Sequence, residues 1–219
     1  MATLELKIDR FPRFAFLLLA IIVELMFVPL LSSSEFGLDV AQVMTAVVLV
    51  AALSATGVTL APVLLFVPAA LLHLITVYRG GPTLDVGALA LRIVFFSYTT
   101  GLILWRTLNR PDVTMDTIAG AACVYTLLAL VWANLYLLIE VLHPGSFVIP
   151  AHWRPAPSGS PATALVYFSF ITLTTVAYGD IHPAWAGVGG FVAAEAVVGQ
   201  LYLAITIARL VGLHIARRP

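Results

Sequence analysis

Long apolar stretches broken by short polar ones run through nearly the whole chain. The first covers 14–31, interrupted by Glu24 and preceded by Pro12, which suits a helix start. It is too long for a typical signal-peptide core and lacks an Ala-x-Ala-like exit before Ser32, so it reads as a membrane helix. Residues 40–78 are almost entirely apolar. One helix over them would reach about 58 Å, nearly twice a hydrocarbon core of about 30 Å. The run must therefore break or contain non-spanning parts, and the one good break is Ala55-Thr56-Gly57-Val58-Thr59 followed by Pro62, because glycine and the pre-proline restriction favour a tight turn. Helices over 40–56 and 60–78 follow. A fourth is predicted over 85–106, with Pro111 closing the connection, and a fifth over 116–142, ending before His143-Pro144-Gly145. Pro144, Pro150, Pro155, Pro157 and Pro161 make 143–161 a loop outside the bilayer. Ser160 and Pro161 then open a helix over 161–172, about 18 Å long and too short to span. A last helix covers 184–210.

Composition agrees with this pattern. The chain is 61% hydrophobic and 10% charged, with a mean hydropathy of +1.04, whereas soluble domains are about 25% charged. Its net charge of zero offers no basic surface to nucleic acid. Cys123 is the only cysteine, which excludes an internal disulfide and a cysteine-only metal site; no disulfide-linked partner is expected. The expectation is an all-α integral membrane protein with six transmembrane helices. Placing both termini in the cytoplasm puts Lys7, Arg10, Arg13, Arg106, Arg110, Arg209, Arg217 and Arg218 inside and Arg79 and Arg154 outside, a positive-inside bias.

The most informative segment is Tyr167-Phe168-Ser169-Phe170-Ile171-Thr172-Leu173-Thr174-Thr175-Val176-Ala177-Tyr178-Gly179-Asp180. A short helix enters the membrane and an extended stretch returns to the same side. Such backbone is tolerable at membrane depth only inside protein or against a water-filled cavity. Four or more copies around an axis would turn its carbonyls into oxygen rings able to replace a cation's hydration shell. An oligomer is therefore expected.

Thr175-Val176-Ala177-Tyr178-Gly179-Asp180, with Thr172 and Thr174 before it, resembles the pore signature of potassium channels. The flanking Ile181-His182-Pro183, Glu195, Gly199, Gln200-Leu201-Tyr202-Leu203-Ala204 and Arg209-Leu210-Val211 extend the likeness to small bacterial two-helix pore domains over roughly 116–212. The resemblance implies a homotetramer in a bacterial plasma membrane. In it the carbonyls of Thr175, Val176, Ala177 and Tyr178 and the Thr175 hydroxyl would coordinate potassium. The side chains of Val176 and Tyr178 would point away to hold the ring against the short helix, and the Tyr178 hydroxyl would find a partner behind the filter. Gly179 would allow the dihedrals of the outer mouth. Asp180, Glu140 and Glu195 would support the filter, with Thr172 and Thr174. Gly199 would be a hinge or a packing site, and Ile205, Ala208 and Val211 an apolar gate. Ala177 departs from the family's glycine. A left-handed alanine costs roughly 1–2 kcal/mol per copy, enough in four copies to bias a filter toward collapse.

Six spans with the pore between the last two also resemble the voltage-gated cation channel plan. The fourth helix, however, carries Arg92 in its body and Arg106 only at its end, too few charges for a working sensor. The expected organisation is a cytoplasmic segment at 1–13, a four-helix sensor-like scaffold at 14–110, a pore domain at 111–212 and a short tail at 213–219. Glu24 and Arg92 match in depth and form a candidate buried ion pair. His182, at the mouth, could make external pH matter. The histidines are dispersed and give no metal-ligand spacing. No cofactor is expected; potassium is the permeant ion and membrane lipids are partners. The function expected is passive potassium-selective conduction without strong voltage gating, against a non-conducting or weakly selective subunit and, further off, a secondary transporter. Neither a His-Glu-x-x-His motif nor a nucleophile–base arrangement points to an enzyme.

Overall fold

A computed structural model describes residues 13–31, 35–56, 60–79, 82–109, 114–153 and 160–215. Among them seven α-helices follow in order: α1 (Arg13–Leu31), α2 (Glu35–Thr56), α3 (Leu60–Arg79), α4 (Pro82–Asn109), α5 (Met115–Leu142), α6 (Ala162–Leu173) and α7 (Ala186–Ile215). The turn at 57–59, most of the N-terminal segment and the chain beyond 215 lie outside the described residues. So do Lys7, Arg10, Arg110, Arg154, Arg217 and Arg218, on which the charge asymmetry largely rests.

The count of six transmembrane helices is corrected. Three described helices are long and apolar enough to cross a membrane: α4 over Val86–Asn109, α5 over Met115–Leu142 and α7 over Ala186–Leu213. The apolar parts of the first three helices are Phe14–Leu30, Val43–Thr56 and Leu60–Ile75. At 1.5 Å per residue these stretches, counted over the described residues, reach about 21–26 Å, short of a hydrocarbon core of about 30 Å. Among the described residues the apolar stretches meet the break at Thr56 and Leu60 and differ from the expected 40–78 only at their outer ends, Val43 and Ile75; Glu35 and Asp39 occupy the first turns of α2.

Two apolar cores organise the chain. The larger joins α1–α4 to α5 through buried residues such as Leu17, Leu49, Phe95, Ile103, Cys123 and Leu127. Cys123 donates its thiol to the Phe14 carbonyl, tying α5 to α1. The start of α5 is fixed by a capping box, in which Thr114 and Thr117 exchange side-chain and backbone hydrogen bonds. The second core gathers Tyr136, Phe147, Phe168, Leu165 and Ile181. Its aromatic centre is a triangle of Tyr136, Phe147 and Phe168 with centroids 5.2–5.5 Å apart.

This second core positions the short helix. After α5 the chain forms β1 (Phe147–Val148) and a 3₁₀ turn at Ala151–Trp153, and β1 pairs antiparallel with β2 (His182–Pro183). The strand pair clamps the segment after α6 to the loop before it. At the far end of the bundle, arginines cap helix C-termini: Arg106 donates to the Thr56 carbonyl of α2 and Arg209 to the Leu108 carbonyl of α4.

Candidate functional site

The chain between α6 and α7 is built from the unpaired carbonyls at the end of α6. A helix leaves its last four carbonyls without intrahelical donors. Here the Thr174 N–H bonds to Phe170, the Thr175 N–H to Thr172, and the Val176 and Ala177 N–H groups both to Ile171, at 2.9–3.1 Å. The fourth carbonyl, Leu173, accepts from the Tyr125 hydroxyl at 3.1 Å. In a trans peptide the C=O and N–H point in opposite directions. With the Val176 and Ala177 N–H groups turned toward α6, the Thr175 and Val176 carbonyls turn away from it. Among the described residues, no hydrogen bond ends on the carbonyl of Thr175, Val176, Ala177 or Tyr178.

Backbone dihedrals extend the pattern. Positive φ recurs at Thr175 (60°), Ala177 (41°) and Gly179 (78°), and neither Val176 nor Tyr178 shares it. Alternating left-handed with ordinary conformations turns successive peptide planes so that like polar groups face one side, as in backbone concavities that bind ions. For Gly179 this is free of steric penalty. For Ala177 it costs about 1–2 kcal/mol, and for the β-branched Thr175 it is a rarer outlier still.

Supporting groups surround this segment. Thr172 is buried, and the Thr174 hydroxyl donates to the Phe170 carbonyl at 2.7 Å. Asp180 accepts from the Trp153 indole at 3.1 Å, and Trp153 stacks on Tyr167 with centroids 4.2 Å apart. Partial burial opposes ionisation of Asp180. The Ile181 backbone N–H, the Tyr167 hydroxyl and the Trp153 indole outweigh it and hold the pKa below the usual carboxylate range. Glu140 accepts from the Gly145 and Phe147 backbone N–H groups at 2.9 and 3.1 Å, ordering the loop that becomes β1. Glu195 is wholly buried, and its two oxygens accept from the Ser169 and Tyr136 hydroxyls, so α7, α6 and α5 meet at one carboxylate. Gly199 lies where an added Cβ would sit 2.4 Å from the Leu173 carbonyl oxygen, which makes it a site of close approach between α7 and the end of α6. One residue on, the Gln200 amide donates to the Thr175 hydroxyl at 3.2 Å.

Residues 113–214 match the family model for ion channels. The match takes in slightly under half of the chain and contains α5, α6, the strained segment and nearly all of α7. No curated protein and no solved structure matches the chain. The chain is thus an integral membrane protein, and its stretch 113–214 is similar to ion channels. Among the described residues, no group of three or more His, Cys, Asp or Glu is placed to hold a metal.

Within residues 113–214, the other expected site residues are exposed in the single chain. Val176 and Tyr178 are 52% and 73% exposed, and Tyr178 makes no hydrogen bond among the described residues. Ile205, Ala208 and Val211 are exposed along α7. His182 is exposed, with its Nδ1 3.3 Å from the Pro183 carbonyl. Outside that stretch, Glu24 accepts from Thr45 at 2.7 Å and lies within the electrostatic reach of Arg92. Both line a cavity of about 610 Å³ between the first four helices, α5 and α6.

Sequence reading missed Ser169 and Tyr136 beside Glu195, Trp153 and Tyr167 beside Asp180, and the contact of Gln200 with Thr175. The first four are joined to their carboxylates by tertiary packing, which no local spacing announces. Gln200 did carry a signal, as a carboxamide in an otherwise apolar helix directly after a glycine.

Proposed function

We propose that the chain assembles as a homotetramer around a potassium-selective pore, with the carbonyls of Thr175, Val176, Ala177 and Tyr178 facing the axis. The observation that carries this is the alternating left-handed backbone from Thr175 to Gly179, with its N–H groups tied to α6 and its carbonyls without donors. The C-terminal, partially negative end of α6 adjoins the segment and favours a cation there. Assembly is supported by α7: 17% of its membrane-length stretch is buried within the chain, against 44% for α5, and Val197, Leu201 and Ile205 lie exposed on it. A pore surrounded by four such helices would cover these faces and those of Val176 and Tyr178.

A second reading, a channel-like subunit that does not conduct, draws on the strain at Thr175 and Ala177. Ion flux into liposomes from the purified protein tests both. Potassium flux that excludes sodium and is blocked by barium is the expected result. Equal sodium and potassium flux would overturn selectivity. Silence in the native protein with flux in Ala177→Gly would establish the second reading. Saturable, stoichiometrically coupled transport would replace both with a transporter.

A further inference from the structure

We propose that the Gln200 carboxamide is a positioning residue for the innermost cation site, fixing the Thr175 hydroxyl and thereby setting how strongly that site holds a divalent ion. The inference rests on the filter reading above and extends it to a residue outside the filter. Three observations converge on Gln200. Its Nε2 lies 3.2 Å from the Thr175 Oγ1. Its neighbour Gly199 lets α7 approach the Leu173 carbonyl so closely that a side chain there would collide, which fixes the height of Gln200 relative to Thr175. Gln200 is also exposed and shares a helical face with Ala204, Ala208 and Val211, all exposed. An exposed amide in a membrane helix belongs against water or protein rather than lipid. That face is therefore the one turned to the aqueous path beneath the filter.

The chemistry follows from the hydroxyl's lone pairs. A threonine oxygen has two. Accepting the amide N–H commits one and draws electron density from the other, so a ring of four such oxygens presents a weaker field. A weak field suits a large monovalent cation better than a divalent one, whose dehydration must be compensated by strong ligands. Gln200→Leu removes the donor and returns both lone pairs to the site. Gln200→Glu reverses the hydrogen bond, so that the hydroxyl donates outward, and adds a titratable negative charge.

The test is barium block of potassium flux, with barium applied from the side of the α7 C-terminus. Native protein, Gln200→Leu and Gln200→Glu are compared, with barium binding to the same assembled proteins measured by calorimetry. A neutral hydrogen bond's ordinary net value translates into a half-blocking concentration about three- to tenfold lower in Gln200→Leu. Gln200→Glu is expected to fall further and to weaken again as pH drops and the new carboxylate protonates. Unchanged barium sensitivity in both variants, with potassium flux intact, would overturn this proposal and leave the filter reading standing. If a variant passes no current, its barium affinity decides the point in the same direction. A native protein that neither passes potassium nor binds barium would remove the filter reading, and this proposal with it.

Discussion

Replacing Ala177 by glycine isolates the backbone's contribution to the filter. Ala177 sits at φ 41°, where a Cβ crowds the neighbouring carbonyl, and its N–H is held to Ile171 at 3.1 Å. Glycine removes about 1–2 kcal/mol of that strain per chain. It also gives the unfolded chain more freedom, which returns about 0.5–1 kcal/mol. The net gain is about 0.5–1 kcal/mol per chain and, in a tetramer whose four filters order together, about 2–4 kcal/mol. Since 1.4 kcal/mol is a factor of ten, an ordered-to-collapsed ratio for the four filters would rise by roughly thirtyfold or more. The assay pairs potassium flux in liposomes with the temperature at which the detergent-solubilised oligomer dissociates. Ala177→Gly should raise both. Ala177→Val, whose branched Cβ tolerates this region less well, should lower both. An Ala177→Gly protein with unchanged flux and a lower dissociation temperature, alongside an undisturbed Ala177→Val, would refute the claim that left-handed strain governs this segment.

Three further outcomes follow from the surrounding contacts. Gly199→Ala places a methyl 2.4 Å from the Leu173 carbonyl oxygen and should destabilise the α6–α7 contact by about 1–3 kcal/mol, read as a drop in the dissociation temperature. Tyr136→Phe strips one donor from the fully buried Glu195 and should cost about 1–3 kcal/mol in thermal unfolding, whereas Glu140→Gln, at a partly exposed loop cap, should cost less. Because Asp180 titrates below its ordinary value when folded, its contribution to stability is present above the unfolded carboxylate pKa of about 3.9. That contribution is lost as pH falls through the depressed folded value. Asp180→Asn should therefore flatten this acid limb of a stability–pH curve, and a limb of unchanged steepness would contradict the assignment.

The short helix and the strained segment were legible because their signals are local. A twelve-residue apolar stretch after Ser160-Pro161 is a period and a start signal, and the loop between Leu173 and Ala186 carries its own composition. Ala177 was legible as strained because one residue stands where glycine is normal. Thr175, equally left-handed, was not, since threonine there matches the resemblance. The number of spans was misread for a different reason. Hydropathy adds up along a chain regardless of where helices begin, so the long apolar run through 40–78 was counted as two spans, while the described residues of the helices formed there carry apolar stretches of 14 and 16 residues, Val43–Thr56 and Leu60–Ile75. The Glu195–Ser169–Tyr136 and Asp180–Trp153 clusters join residues 26 to 59 positions apart, and only the packed fold brings them together.

The balance within a single chain also bears on why the segment is exposed. Four N–H bonds from Thr174 to Ala177 anchor it to α6, together worth about 2–6 kcal/mol at ordinary net values. Against them stand two left-handed non-glycine residues at about 1–2 kcal/mol each and the conformational entropy of ordering the loop. The strain alone offsets much of what the bonds supply and ordering the loop opposes them further, so the filter of an isolated chain needs support beyond its own α6. Val176 and Tyr178 carry the unspent apolar surface, and burying a large apolar side chain contributes about 1.5–3 kcal/mol. Neighbouring copies that cover them would therefore stabilise the strained backbone as well as the interface. On this argument filter order and assembly are one equilibrium: a Tyr178→Ala chain should lose potassium flux and oligomer stability together, and loss of either one alone would show that the two are separate.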